Sequence, residues 1–389
     1  RRPENGTGTW HRIATTVMRR PLPIATAAIA LLVFLGVPFL RVNLVQSDDR
    51  VLPATSHARQ VGDILRAEFN TFESSAIDVA APQLSDPEAV DAYALALSAL
   101  DRVARVDSAT GSYVDGALVF PPGPPHLRFS AGGGTYWSVV PEVAPSNPEA
   151  EQLVKDIRAL DPPGEVLVGG VTAELVDSKT ALFAGLPWAL GFIGLVTFVV
   201  LFLMFGSLLV PAKAVVLNLL SLSATFGALV WVFQDGNLSD LLGFTSTGGL
   251  DLTMPILMFA IAFGLSMDYE VFLLSRIKEE HDRGAGDVAA VAGGLERTGR
   301  IVTAAAVLIS VVFVAFATSQ VAMMKMFGVG MTLAVLVDAF IVRATLVPAF
   351  MRLAGRANWW APRWLQPLHR RFGFSESASP TLTPIEEKV

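Results

Sequence analysis

Asp268, Tyr269 and Glu270 stand side by side inside an otherwise apolar run, Leu252 to Ser275. A run of that length crosses a bilayer as one helix, because about 20 residues at roughly 1.5 Å each span the hydrocarbon. A carboxylate near the middle of such a helix costs roughly 2.5–3.5 kcal/mol on insertion scales. One kept there against that cost points to a proton, an ion or a fixed partner. Burial disfavours a charged carboxylate and a hydrogen bond favours it, so a balance of the two would poise Asp268 to load and release a proton. Tyr269 lies about 100° further round the helix and offers a hydroxyl that can donate to a carboxylate. Gly264, four residues before Asp268, shares its face and would let a neighbouring helix come close. Glu270 lies about 200° from Asp268 and faces elsewhere.

Two further charges, Asp338 and Arg343, fall deep in the apolar run 326–351. Five residues apart, they sit about 140° apart around a regular α-helix. The spacing therefore predicts that each pairs with another helix, structurally in the first place and within a proton pathway in the second. Moving one elementary charge through about 100 mV is worth about 2.3 kcal/mol, enough to bias a conformational equilibrium more than about tenfold.

The elements that would position these residues follow from hydropathy. The chain of 389 residues is 52% hydrophobic and only 16% charged, against about 25% charged in a soluble domain. Six apolar runs are expected to span: residues 21–40, then about 182–205, 208–233, 252–275, 301–318 and 326–351. The first is too long for a signal-peptide core. The chain begins at Arg1 without Met or a secretory signal, and a segment of a longer chain is expected.

Residues 41–180 are different material, with 20 Asp and Glu against 10 Lys and Arg by count. Strand-like runs (Ala76–Ala80, Tyr136–Val140, Val166–Val168) alternate with helix-like stretches (Pro87–Val103, Pro148–Leu160) that open on Asp86 and Asn147. The order approximates βαββαβ, a ferredoxin-like α+β domain outside the membrane.

Orientation follows from Lys and Arg in short loops. One side holds Arg1, Arg2, Arg12, Arg19 and Arg20, then Lys213 at a span end and a loop at 276–300 with Arg276, Lys278, Arg283, Arg297 and Arg300. The tail adds Arg352, Arg356, Arg363, Arg370 and Arg371 on that side, while Lys325 alone marks the other. Both termini are thus expected in the cytoplasm, with residues 1–20 as a cytoplasmic segment and 41–180 extracytoplasmic. Residues 354–389 are expected to be a cytoplasmic anchor, through Trp359, Trp360 and Trp364, and a disordered tail from Ser375 to Val389.

Several classes are disfavoured. There is no Cys, and the five His stand in no metal-ligand spacing. No Gly-rich phosphate loop appears. No metal, cofactor or nucleic acid is expected. An intramembrane aspartyl protease would need two facing carboxylates, which Asp268 and Asp338 supply only nominally. A membrane sensor or scaffold, with its charges purely structural, is the non-transporting alternative.

The string Gly264 to Leu273 closely resembles the tenth spanning helix of MMPL-type transporters of the resistance–nodulation–division (RND) superfamily. Val168–Ala173, Gly299–Ala305 and Trp359–Trp364 match that pattern too, so the resemblance covers residues 20–365. It implies one RND repeat of six spans, looking like the C-terminal half, with a porter-type external domain that passes lipids or other hydrophobic substrates. It implies that Asp268 and Tyr269 are half of a proton relay whose partners lie in an N-terminal half, a second copy or another subunit. It implies a proton-motive-force-driven exporter in a bacterial plasma membrane, not an enzyme. The multidrug branch places a Lys within the membrane near its Asp, and no such Lys is expected here. A Sec-type export-motor subunit shares the architecture but fits the Asp-Tyr-Glu string less well.

Overall fold

Backbone amides find no partners in lipid, so an apolar run there closes its hydrogen bonds within one helix. The computed structural model describes residues 8–69 and 72–372. Arg1, Arg2 and the tail from Ser375 lie outside them. Among the described residues, six helices are long and apolar enough to cross a membrane: Pro21–Arg41, Val171–Phe205, Leu209–Gln234, Thr253–Asp282, Asp287–Ala317 and Ala322–Trp359.

The chain opens with an amphipathic helix, α1 (Thr9–Arg19), which leads into α2 (Pro21–Gly36). Ala14, Val17 and Met18 bury one face of α1. Strand β1 (Leu44–Val45) and helix α3 (His57–Glu68) follow. An α+β domain then begins with β2 (Ile77–Ala81), α4 (Pro87–Ser98), β3 (Val103–Ser108), β4 (Gly111–Val114) and β5 (Ala117–Phe120). It continues with β6 (Ser130–Ala131), β7 (Gly134–Pro141), α5 (Pro148–Ala159) and β8 (Leu167–Gly169).

These strands form one antiparallel sheet in the order β5-β4-β3-β7-β2-β8, with β6 on β7. Helices α4 and α5 pack on it through Val90, Tyr93, Leu97, Leu153 and Ile157. The fully buried Trp137 donates its indole N–H to the Val90 carbonyl at 3.1 Å, and Tyr93 meets its ring edge-on at 4.9 Å. Two expectations are corrected here. The helix from Pro87 ends at Ser98, not at Val103; the chain turns at Arg102, whose φ is +69°, and Val103 opens a strand. The hairpin of β4 and β5, absent from the expected order, extends the sheet beyond β3.

Helix α6 (Val171–Phe205) joins the two regions without a break. Ala173 and Val176 belong to the core of the α+β domain, while Leu201 and Phe205 belong to the bundle core. The turn from β8 into α6 falls at Gly170, at φ +101° and ψ 168°, a region open only to glycine, and a Cβ there would meet the Ala76 carbonyl at 2.7 Å. The bundle continues with α7 (Leu209–Leu229), a one-turn α8 (Ser239–Leu242), β9 (Leu250–Asp251), α9 (Thr253–Asp282) and α10 (Asp287–Ala317). The last span runs from α11 (Ala322–Leu336) through a π-helical segment, Val337–Leu346, into α12 (Val347–Ala354); α13 (Gln366–Phe372) ends the described chain.

The expected loop at 276–300 is corrected: α9 and α10 cover it except for residues 283–286. Polar residues continue both helices past their apolar runs, which hydropathy alone does not register. Trp359 stacks on His281 at 4.9 Å and lies under Lys278, so it clasps the end of α9, while Trp360 and Trp364 are exposed.

The other end of α9 is pinned as well. Strand β9 pairs in parallel with β1, and Asp251 accepts from Ser47 Oγ at 2.6 Å and from Thr253 N at 2.9 Å. Burial pushes the Asp251 carboxyl up, but the hydrogen bonds from Ser47 and Thr253 outweigh it and hold it below the usual range. A depressed carboxyl contributes stability above its unfolded value, about 3.9, and loses it as pH falls through the folded value. Asp251→Asn should therefore cost about 1–3 kcal/mol at neutral pH. The gap between the melting curves of parent and variant should close below about pH 4; a gap that persists in acid contradicts the assignment.

Candidate functional site

A regular helix would splay Asp338 from Arg343, but the segment Val337–Leu346 is π-helical. Its i→i+5 winding brings residues five apart over one another. Arg343 Nε donates to Asp338 Oδ2 at 2.7 Å, and Nη2 stands 2.6 Å from the same oxygen. The expectation that each pairs with a different helix is thus overturned, because the spacing argument assumed 3.6 residues per turn. π-turns inside α-helices occur frequently at functional sites.

Helix α9 completes this cluster. Ser266 donates its hydroxyl to Asp338 Oδ1 at 2.8 Å, and Arg343 Nη2 donates to the Ser266 carbonyl. The Arg343 guanidinium lies 5.2 Å from the centre of the Tyr269 ring, within cation–π range. Ser266, Tyr269, Asp338 and Arg343 line a cavity of about 20 Å³, room for a single water. Ser266 was missed from sequence; its signal was a lone hydroxyl one turn before Tyr269 in an apolar run.

Asp268 points the other way. It is exposed, as is Gly264, and no atom lies within 4 Å of where a Gly264 Cβ would stand. The stripe continues through Ala260, Leu257 and Ile256. Among the described residues Asp268 makes no hydrogen bond or ion pair, and none joins it to Tyr269. The structure therefore does not unite Asp268 with Asp338: the latter is engaged with Arg343 inside, and the two form no catalytic carboxylate dyad.

Glu270 is only 3% exposed, and its Oε1 lacks a hydrogen-bond partner among the described residues. The charges acting on it are Lys213 on α7, then Arg343 and Asp338. Lys213 is itself buried, with no hydrogen bond to its Nζ among the described residues. The expectation of Lys213 as a span-end charge is corrected. It stands one turn inside α7 with its side chain turned into the bundle, so a buried Lys does accompany this helix, beside Glu270 and not Asp268.

Residues 133–378 match the family profile described as "MMPL family". The chain belongs to the MMPL family. A membrane protein of Streptomyces coelicolor is 39% identical over 381 residues, covering 97% of this chain and 50% of that protein. The trehalose monomycolate exporter MmpL3 of Mycobacterium tuberculosis is 34% identical over 96% of this chain and 39% of its own length. The mycolic acid-containing lipids exporter MmpL11 of Mycolicibacterium smegmatis is 34% identical over 92% of this chain and 37% of its own. The chain thus spans half or less of the length of these MMPL and membrane-protein relatives. With six apolar helices and these relatives, it is a multi-pass membrane protein of the RND superfamily.

Proposed function

We propose that this chain is the C-terminal half of a proton-motive-force-driven exporter of lipids or other hydrophobic substrates in a bacterial plasma membrane. Asp268 and Tyr269 are half of its proton relay. Residues 41–180 form a ferredoxin-like, porter-type domain on the outer side, and both termini are cytoplasmic. The partner is the N-terminal half of the same transporter, or a second copy or subunit.

One observation carries the reading. Asp268 is a carboxylate without a partner among the described residues, in an apolar stripe whose front is open. A charge cannot face lipid there without large cost, so another helix must cover it, and Gly264 leaves room for close approach. Tyr269, on the adjacent face, reaches inward to Arg343, so a change of charge at Asp268 sits one residue from a ring that meets the internal ion pair. Glu270 is the secondary coupling candidate, held among Lys213, Arg343 and Asp338. Support for a lipid substrate comes from the two named mycobacterial exporters. The sheet order supports the domain assignment: with the β4-β5 hairpin and β6 set aside, β2, β3, β7 and β8 lie in the order 4-1-3-2, read from β8.

The test is export of radiolabelled envelope lipid by inverted vesicles carrying the complete transporter. Addition of a protonophore should reduce export to background. Export that continues unchanged without a proton gradient contradicts proton coupling and favours a different energy source.

A further inference from the structure

Arg343 lies between two small cavities. One, toward Tyr269, is described above. The other, of about 10 Å³, lies on the side of α1 and is lined by Arg343, Thr298, Thr303, Gly299 and Trp10, among others. Its polar groups are left incomplete in a particular way. Arg343 uses Nε and Nη2 on Asp338 and Ser266, but its buried Nη1 has no partner among the described residues. An unpaired buried guanidinium N–H is expensive. Thr298 and Thr303 each spend their hydroxyl hydrogen on a backbone carbonyl, Gly294 at 2.8 Å and Gly299 at 2.5 Å. Their oxygens keep lone pairs free to accept. One water in this space could accept from Arg343 Nη1 and donate to both threonines, about the three bonds a buried water usually makes.

The far wall is Trp10. Gly299 has no side chain, and the Trp10 ring occupies the space: a Cβ on Gly299 would stand 2.5 Å from Trp10 Cγ. The turn bearing Trp10 is fastened to α10 on either side, since the Gly8 amide donates to Glu296 Oε1 at 3.2 Å and His11 Nδ1 lies 3.3 Å from Glu296 Oε2. The Gly299–Ala305 stretch that the sequence singles out is thus a seat for an indole and a wall for a water.

We propose that this cavity is a water site bound by Arg343, Thr298 and Thr303, and that Trp10, seated on Gly299, is the plug that closes it to the cytoplasm. With Trp10 in place, the site hydrates Arg343 but does not join the solvent. When α1 shifts, solvent water joins this one and completes the inner leg of the proton route, a proton passing from water to water and not through Arg343, which stays charged. The proton-route part rests on the proposed proton coupling; the water site and its plug do not.

The test uses the complete transporter in inverted vesicles. A thiol is placed by Thr298→Cys, and labelling by a membrane-impermeant maleimide is timed from the cytoplasmic side, counted above that of the protein without the substitution. With Trp10 present, labelling should be slow. Trp10→Ala should speed it at least about tenfold, as local opening does. Gly299→Ala, which displaces the ring, should act in the same direction, and Trp10→Phe should stay closed. Equal labelling with and without the indole overturns the plug. In vesicles whose protein keeps Thr298, a trapped pH dye reads proton leak without substrate: Trp10→Ala should raise it, and Trp10→Phe should not. Faster labelling with no added leak overturns the proton route and leaves the plug standing. Failure of proton coupling itself would be separate, seen as export by the parent that ignores a protonophore.

Discussion

Asp338→Ala should destabilise the membrane bundle by about 3–5 kcal/mol, the usual cost of stranding one member of a buried ion pair. Arg343 is 3% exposed and has its Nε and one Nη2 contact on Asp338. Without the carboxylate, the guanidinium keeps, among the described residues, Ser266 and the face of Tyr269. The π-segment would also lose the side-chain bond that spans its own turn. Removing both charges should be milder than removing one, because replacing a buried pair by apolar residues is often nearly neutral. Asp338→Leu with Arg343→Met should therefore recover much of the melting temperature lost by Asp338→Ala. Thermal unfolding of the detergent-solubilised complete protein, followed through a double-mutant cycle, checks this. A double variant as unstable as the sum of the single ones would show that the two side chains do not act as a pair.

Asp268→Asn should show the opposite pattern, with little loss of stability and a large loss of transport. The side chain is exposed on this chain and makes no hydrogen bond among its described residues, so the fold does not depend on its charge. Losing one charge moved per cycle forfeits about 2.3 kcal/mol at about 100 mV, which corresponds to roughly a 50-fold fall in driven export. Lipid export by the variant, measured beside its melting curve, distinguishes the roles. A low melting temperature with low export would make Asp268 structural.

These opposed expectations trace what was legible in the sequence. Asp268 stood out in the sequence because one carboxylate in a long apolar run is costly, but that it faces outward, away from Tyr269 and Asp338, was not legible. The direct pairing of Asp338 and Arg343 was not, because their spacing was read on a 3.6-residue turn and nothing local announces a π-turn. Lys213 was misread because a charge near the end of an apolar run looks the same whether it points to water or into the bundle. Only its packing against α9 decides. In the α+β domain Asp86 signalled its helix start correctly, its side chain accepting from the Glu88 amide at 3.2 Å. The end of that helix was misplaced, since Ala99 to Val103 carries no Gly or Pro to signal a stop. The seating of Trp10 on Gly299 joins residues 289 positions apart, beyond the reach of any periodicity.

The most direct measurement is proton uptake during export by the complete transporter in liposomes, at a fixed imposed potential, for parent and Asp268→Asn. The account predicts that protons enter in step with exported lipid for the parent and that both fluxes fall together in the variant. Lipid export that continues in Asp268→Asn with proton uptake intact would contradict it.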